Sequence, residues 1–594
     1  MKDAIRRSTS SNLLTVLYPP PSRSPSMSTE RDPLLPKPTP DDAKQRVGPL
    51  EISAATRRWI LAGMWLGTFL GALNLTLVPT MMPAISSEFQ KFHQASWLGT
   101  ANFLASCTFT PLYGRLCNVL GRRRAYQLAI VLTGAGAVGC GLAQSMEGLI
   151  AARFIAGMGG GGVFTASTII VSDMYSLRER GLVQALASVF NSFGMGLGGP
   201  IGGLITDLWG WRAAFLMQIP LFVASAVITQ VNVNYVTDSE TKSKSTKAIL
   251  KRIDYFGSLS LLTFVGAFVL FLSSRYNESL PWLNPLVLVP LVISAVFMVI
   301  FVVVELFVAP EPVMPMSLLQ QKIPVLVGAS NFFANACIFS VTYFFPLWFQ
   351  VVKLQSASTA GLHLMPNSVS LSLGSIFAGW MMHKTGRYKT INAIFGAFPF
   401  FGAIFIASLR EDSGWVQSWL SIVPFGFGNA VVLQTLLIAL LAHLPQSQMA
   451  VGTGFGQLFR GLGQVGGVAM ASAVFQAQLD SELRRRFPPG SDELIMNIRR
   501  SSGFLRQLGP EDRRLARDAY ALSLKAVYAL AAVSTLLAYI VRMPIPDQDL
   551  DKAHDKKPEV PPEQIVPAPE PLPGDVIAGE AAGARPGRSV EGRV

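Results

Sequence analysis

Two arginines stand inside stretches that otherwise carry no charge: Arg153 in RFIAGMGGGG and Arg460 in GQLFRGLGQ. Placing such a cation in hydrocarbon costs about 2.5–3.5 kcal/mol, so it belongs beside a wet cavity, where a guanidinium can take a solute carboxylate bidentately. For Arg153, snorkelling toward the membrane surface is the competing account. His363, in another apolar stretch, titrates near neutrality and is a candidate proton carrier, although a lone histidine also serves as hydrogen-bonded packing. Asn74, Asn331, Asn335, Asn429 and Gln434 lie in similar surroundings, as do Asn191, Gln218, Asn367, Gln457 and Gln464. Some of these amides tie helices together and others suit a polar, zwitterionic solute. Carboxylates are nearly missing from the same stretches, with Asp173, Asp207, Asp254 and Glu305 at or near expected helix ends. No nucleophile–base pair or metal-ligand cluster stands out, so the reading is a binding and releasing protein, not an enzyme, with no cofactor and no metal.

The elements that position these residues are long and greasy. Half of the 594 residues are hydrophobic, mean hydropathy is +0.40, and the apolar residues gather into blocks long enough to cross a bilayer. The blocks run near 60–85, 93–113, 125–143, 148–172, 181–206 and 212–233, then 255–273 and 285–308, then 323–350, 358–382, 388–408, 416–441, 451–476 and 520–541. This predicts an all-α integral membrane protein of about fourteen helices. Residues 1–58 are a disordered cytosolic tail, 59–234 a six-helix bundle, 235–253 a cytosolic linker, 254–308 an inserted helix pair, 309–541 a second six-helix bundle with a lumenal loop at 479–519, and 542–594 a second tail. Met27 is an alternative start.

The net charge of +13 does not point to nucleic acid, because the basic residues sit between apolar blocks and not on a soluble domain with stacking aromatics. Arg115, Arg122, Arg123 and Arg124, then Lys242 to Arg252, then Lys384, Arg387 and Lys389 all fall on one side and mark it as cytosolic, facing anionic lipid. The 479–519 loop disagrees: it carries nine arginines on the opposite side, and DELIMNIRRSSGFLRQL has the pattern of an amphipathic helix lying on the bilayer. The sequon at Asn277 weakly supports the same orientation. Cys107, Cys117, Cys140 and Cys337 lack ligand spacing and are read as small buried hydrophobes.

One basic loop has an echo. GRLCNVLGRRR (114–124) aligns with GWMMHKTGRYK (379–389), pairing Gly114 with Gly379, Gly121 with Gly386 and Arg122 with Arg387. Each lies between the second and third helix of its six-helix half. Repeated halves are a transporter architecture, with solute held between the bundles near mid-membrane. The loop either anchors topology or latches the helices on the cytosolic face.

PLYGRLCNVLGRRR resembles the loop motif of the major facilitator superfamily. RFIAGMGGGG is similar to its fourth-helix motif, and GLGGPIGG (196–203), with Gly199, Pro200, Gly202 and Gly203, to its fifth-helix antiporter motif. DYFGSLSLL and RYNE resemble the fourteen-span drug:proton antiporter branch, and WLGTANFLASCTFTPLYGRL with HKTGRYK resembles fungal vacuolar transporters of basic amino acids. The resemblance implies the major facilitator fold and alternating access, with amino acids moved across the vacuolar membrane in antiport with protons. It also implies a gating role for Gly114, Asn118, Gly121, Arg122, Arg123, Gly379, Gly386 and Arg387. Asn74 and Asn118 stand where such proteins commonly have Asp, His383 takes the place equivalent to Asn118, and Met195 replaces a further Gly. Asn118 can hydrogen-bond to Arg178 or Arg180 but adds no ionic attraction, so the latch is expected to be looser. With those acids missing, proton coupling is an expectation and facilitated diffusion stays open. A strongly cationic solute lacks an evident counter-charge.

Glu30, Leu34 and Leu35 fit an acidic-dileucine sorting signal for an adaptor. The expected partners are thus a small-molecule substrate, protons, membrane lipid and a sorting adaptor, without nucleic acid. A plasma-membrane exporter of drugs or toxins, or a nutrient receptor that no longer transports, remains an alternative.

Overall fold

The computed structural model describes residues 52–175, 177–234, 254–308, 314, 316–444 and 449–548. The chain is helical because a backbone crossing lipid must satisfy its own hydrogen bonds. The first bundle is α1 (Ala54–Phe89), α2 (Trp97–Val119), α3 (Arg122–Leu142), α4 (Met146–Met174), α5 (Leu177–Trp209) and α6 (Trp211–Asn232). The inserted pair is α7 (Tyr255–Asn277) and α8 (Pro285–Val308). The second bundle is α9 (Lys322–Val351), α10 (357–385), α11 (Lys389–Ala407), α12 (Trp415–Ala442), α13 (Met449–Arg486) and α15 (Pro510–Arg542), with the short α14 (Asp492–Arg500) between the last two. Eleven of these are long and apolar enough to cross a membrane. With α2, α5 and α10, which fall short of that hydropathy, the described residues hold fourteen long helices, the number of crossings expected from the sequence.

Local sequence sets the helix ends. Ser53, Ser145 and Ser356 accept from backbone N–H groups three residues on, and Asp254 does the same for α7. The repeated glycines turn the chain in different ways: Gly121 (φ 82°) precedes α3, whereas Gly386 (φ 64°) closes α10. In α6, α10, α11 and α12 a break near one end is followed by a proline in the new first turn, where the missing N–H removes no helical bond. The face carrying the turns at Gly121 and Gly386 is called the loop face, and the opposite one the cap face.

Glycine brings the helices together within each bundle. A Cβ on Gly194 or Gly198 of α5 would lie 2.4 or 2.3 Å from the carbonyl oxygens of Phe69 and Leu73 on α1. The second bundle repeats this: a Cβ on Gly463 or Gly467 of α13 would lie 2.3 or 2.4 Å from those of Phe332 and Ala336 on α9. The loop echo in the sequence therefore has a counterpart inside the bundles. Gly157 and Gly161 of the fourth-helix glycine run press α4 onto Asn102 and Ser106 of α2 in the same way.

The cap face corrects the sequence reading in two places. α13 runs on to Arg486, α15 begins at Pro510, and α14 lies between them, so much of 479–519 is helix. Hydropathy misses these extensions because they are polar and held by ion pairs. Arg484 pairs with Asp480 and Asp492, Arg486 with Glu482 and Asp518, Arg499 with Asp480, and Arg517 with Glu411. Arginines paired in this way give a loop little pull toward anionic lipid. α14 turns Ile495 and Ile498 into the protein core, and Tyr520 donates to the Ile498 carbonyl, so its apolar face is used by the protein and not by the bilayer surface. Asn277, the sequon residue, is buried in a π-helical turn at the end of α7, accepting from Ser472 through Oδ1 and from Arg499 through its carbonyl. It is not available for glycosylation in this fold. α8 leaves Leu286, Val289, Val292, Val296 and Val299 exposed, as a lipid-facing helix should.

The bundles meet toward the cap face. A Cβ on Gly203 would lie 2.4 Å from the Ala357 carbonyl oxygen, and one on Gly199 2.8 Å from that of Gly361, so α5 packs on α10 backbone to backbone. Gly203→Val, overpacked by about 1–3 kcal/mol, should keep this seam from closing and speed labelling of a cysteine placed at Ser358 from the cap side. The four native cysteines are buried and give little background. Gly379→Ala, where a Cβ meets nothing within 4 Å, should leave the labelling rate unchanged. Equal rates in both variants would remove the seam from the account.

Candidate functional site

Every hydrogen bond described between the bundles lies from mid-membrane to the cap face. Gln350 donates to the Thr80 carbonyl (3.0 Å), the Ser358 N–H to Asp207 (3.0 Å), the Gly503 N–H to Ser87 (3.1 Å) and the Cys107 thiol to the Leu458 carbonyl (3.8 Å). Rings complete the closure: Phe103 packs edge-on to Phe339 at 4.7 Å, and Phe92 meets Phe475 and Tyr520 at 6.1 and 6.4 Å. Water and solute are thus shut out on this side.

In the other half of the membrane, α1, α4 and α5 border a small, partly open cavity. Met64, Trp65, Thr68, Phe164, Ser167, Thr168, Val171, Ala187, Ser188 and Asn191 line it. None of them is ionisable. Thr68, Ser167 and Thr168 donate their hydroxyl hydrogens to carbonyls one turn back on their own helices, at 3.0, 2.7 and 3.0 Å, so their oxygens remain as acceptors. Asn191 turns its Nδ2 to the Met195 sulfur, 3.9 Å away, leaving its carbonyl oxygen. Trp65 stacks on Phe190 at 5.0 Å, and its indole Nε1 is buried with no hydrogen-bond partner. The cavity therefore combines neutral acceptors and aromatic faces, which suits an N–H-bearing cation without a formal counter-charge.

The residues singled out from the sequence fall into separate places. Arg460, half-buried near the middle of the membrane, donates to the Leu433 carbonyl at 3.2 Å, beside Gln434. Asn331 is near the same stripe of α13, lying 3.7 Å from a Cβ built on Gly456, and its buried Oδ1 has no partner. Arg460 and Asn331 thus lie near one stretch of α13 on the second bundle. Asn335 and Asn429 are buried and bond to carbonyls four residues back, while Asn74 ties α1 to α6 through Gln218 at 2.6 Å. Arg153 is buried under the cap-side closure, with Nε donating to the Leu98 carbonyl and Nη2 left without a partner. His363 is stacked between Phe349 (3.7 Å) and Trp419 (4.3 Å), with Nδ1 at the Thr359 carbonyl. Neither Arg153 nor His363 lines the cavity.

On the loop face Arg122 pairs with Asp173 at 2.9 Å and donates to the Cys117 carbonyl, both within its own bundle. A Cβ added to Gly114 or Gly379 would meet nothing within 4 Å, so packing in this conformation does not require glycine there. The side chains of Asn118, Arg178 and Arg180 lie outside the described residues, as do Glu30, Leu34 and Leu35. Sequence reasoning passed over Trp65, Thr68, Ser167 and Thr168 because hydroxyls and indoles are ordinary in apolar helices. Their signal is a shared face: Trp65 with Thr68 on α1, and Phe164 with Ser167 and Thr168 on α4.

Two six-helix bundles, closed together on one face and hollow toward the other, define a membrane carrier architecture. The Major Facilitator Superfamily model matches residues 64–468, and the chain belongs to that family. It is 35% identical over 487 residues to the multidrug resistance protein fnx1 of Schizosaccharomyces pombe, covering 81% of this chain and 91% of that protein. It is 32% identical over 506 residues to the vacuolar membrane amino acid uptake transporter fnx2 of the same yeast, covering 84% and 86%. A bacterial homologue of the human lysosomal transporter Spinster, solved inward-facing and unoccupied, shares the fold with a TM-score of 0.55 at 14% identity, over 82% of this chain and 97% of that one.

The cap carries a titratable group. His93, between α1 and α2, is lowered from 6.5 to about 4, first by burial and then by Arg499, Arg500 and Lys91, with Glu147 opposing. The unfolded chain takes up this proton below about 6.5 and the folded chain only near 4, so stability is present at neutral pH and declines as pH falls through that window. Thermal unfolding in detergent between pH 7 and 4 should show a shallower decline in His93→Gln; an identical decline would mean that His93 is not held neutral.

Proposed function

We propose that the chain carries amino acids, cationic ones included, across the vacuolar membrane by alternating access, with the loop face cytosolic. The observation that carries this is the uncharged, acceptor-rich aromatic cavity on the first bundle, together with a guanidinium on the second. The cavity takes a cationic side chain through the oxygens of Thr68, Ser167, Thr168 and Asn191 and the ring faces of Trp65 and Phe164. Arg460, with Asn331 and Gln434, takes the carboxylate end as the bundles close. This also answers the missing counter-charge: a cation can be held by neutral oxygens and π faces, each contact being worth about 0.5–2 kcal/mol. The amino acid transporter relative supports the substrate class and the destination.

The seam made by Gly199, Gly203 and Gly361 supplies the rocking contact, and Pro200 lies within it. Gly202 instead packs toward Leu77 on α1. Exchange for protons through His363 finds little support in its stacked geometry, so proton coupling rests on the antiporter-like motif alone. The second reading, export of drug-like cations, is favoured by the same aromatic cavity and by the multidrug resistance relative. It differs in destination and in needing no carboxylate at Arg460.

Uptake of labelled lysine, arginine, histidine and neutral amino acids into proteoliposomes, with and without a pH gradient, tests the reading. Lysine or arginine flux is expected, with Trp65→Leu raising KM about tenfold and Arg460→Gln abolishing carboxylate-dependent transport. Flux of none of these amino acids would reject it and leave drug export or sensing. In cells the tagged chain should reach the vacuole, and Leu34→Ala with Leu35→Ala should divert it; surface residence of the unmutated protein would count for the exporter.

A further inference from the structure

On the loop face of the second bundle, away from the first recess, α11, α12 and α15 border a second recess, shallow and open to one side. Tyr388, Lys389, Asn392, Tyr539 and Arg542 supply its polar lining, and no acid is among the lining residues. Two of its polar groups are buried and unpartnered: the Nε of Arg542, a residue 6% exposed, and the Oδ1 of Asn392, a residue 9% exposed. Three other polar groups of the lining are already engaged. The Tyr388 hydroxyl donates to the Pro546 carbonyl at 2.7 Å, the Tyr539 hydroxyl to the Ala393 carbonyl at 3.0 Å, and Arg542 Nη2 to the Gly396 carbonyl.

We propose that this pocket binds a phosphorylated polyol, the headgroup of an inositol phospholipid or its soluble counterpart. Arg542 and Lys389 offer cationic donors for phosphate oxygens, and the Asn392 carbonyl offers an acceptor that a bare phosphate cannot use but a ring hydroxyl can. A pocket between helices on a basic membrane face is where such headgroups bind. Its depth fits a lipid source: Trp380 is 55% exposed, with Lys384 placed over its ring at 5.2 Å, an interfacial pair at the level of headgroups. Asp547, on the segment following α15, accepts from the Lys389 backbone N–H at 3.3 Å and is a built-in competitor beside the pocket. The site is independent of the transported solute and requires only that the loop face be cytosolic.

The test uses the full-length protein in detergent, titrated with a short-chain phosphatidylinositol monophosphate, inositol bisphosphate, inorganic phosphate and short-chain phosphatidylserine, with binding read by native mass spectrometry and calorimetry. Saturable binding of the inositol lipid is expected, weakened about fivefold by Lys389→Ala, weakened also by Asn392→Leu, and strengthened by Asp547→Asn. Inositol bisphosphate binding as tightly as the lipid makes the soluble polyol phosphate the ligand, and much tighter lipid binding makes it the membrane headgroup; both uphold the site. Lys389 is exposed, so its variant should fold even where an Arg542 variant does not. Equal affinity for phosphatidylserine or inorganic phosphate, failure to saturate, or indifference to all three variants overturns the proposal.

Discussion

Close approach of helix backbones, permitted by glycine, is the contact on which this structure depends. Lipid offers helices no hydrophobic reason to associate, so packing and small residues must bring them together. The chain uses one device in two roles. Inside each bundle, glycines four residues apart bring α5 onto α1 and α13 onto α9, packing backbone against backbone. Between the bundles, Gly199, Gly203 and Gly361 bring α5 onto α10 only on the cap side. The first kind of contact makes the halves stiff, and the second makes a joint that can close without interlocking side chains.

Charge is arranged around that mechanical plan. On the cap, arginines of α13, α14 and α15 are paired with acids of the same region, while Asn277 in the inserted pair links α13 and α14 to α7. α7 also reaches the first bundle, where the Trp97 indole donates to Ser273 at 2.9 Å. The inserted helices therefore hold both bundles at the cap face. The residues lining the cavity of α1, α4 and α5 carry no charge, so what it presents is oxygen lone pairs and ring faces, without the desolvation cost of a buried carboxylate.

Much of this was legible in the residues. Fourteen crossings, the inserted pair and the repeated halves follow from apolar block length and from Gly121 and Gly386 at matching positions. The cap was not legible, because helix extensions such as 477–486 are polar and their stability comes from pairs like Arg486 with Glu482, which hydropathy cannot register. The site divided along the same line. A cation in an apolar run announces itself, as Arg153 and Arg460 do, but position along a helix does not reveal which side it faces: Arg153 lies under the closure, and His363 between two rings. The hydroxyls of Thr68 and Ser167 acquire meaning only when three helices place them around one cavity.

The central claim is that the cap-side joint and the loop-side opening are alternatives. Spin labels at Leu208 and Ser358 across the cap face, and in a second sample at Arg123 and Arg387 across the loop face, measure both directly by pulsed dipolar spectroscopy in nanodiscs. Without solute, the cap pair should be close and the loop pair far apart; saturating lysine should bring in a second population in which the cap distance lengthens as the loop distance shortens. A cap distance that stays short while lysine is being transported would contradict the account.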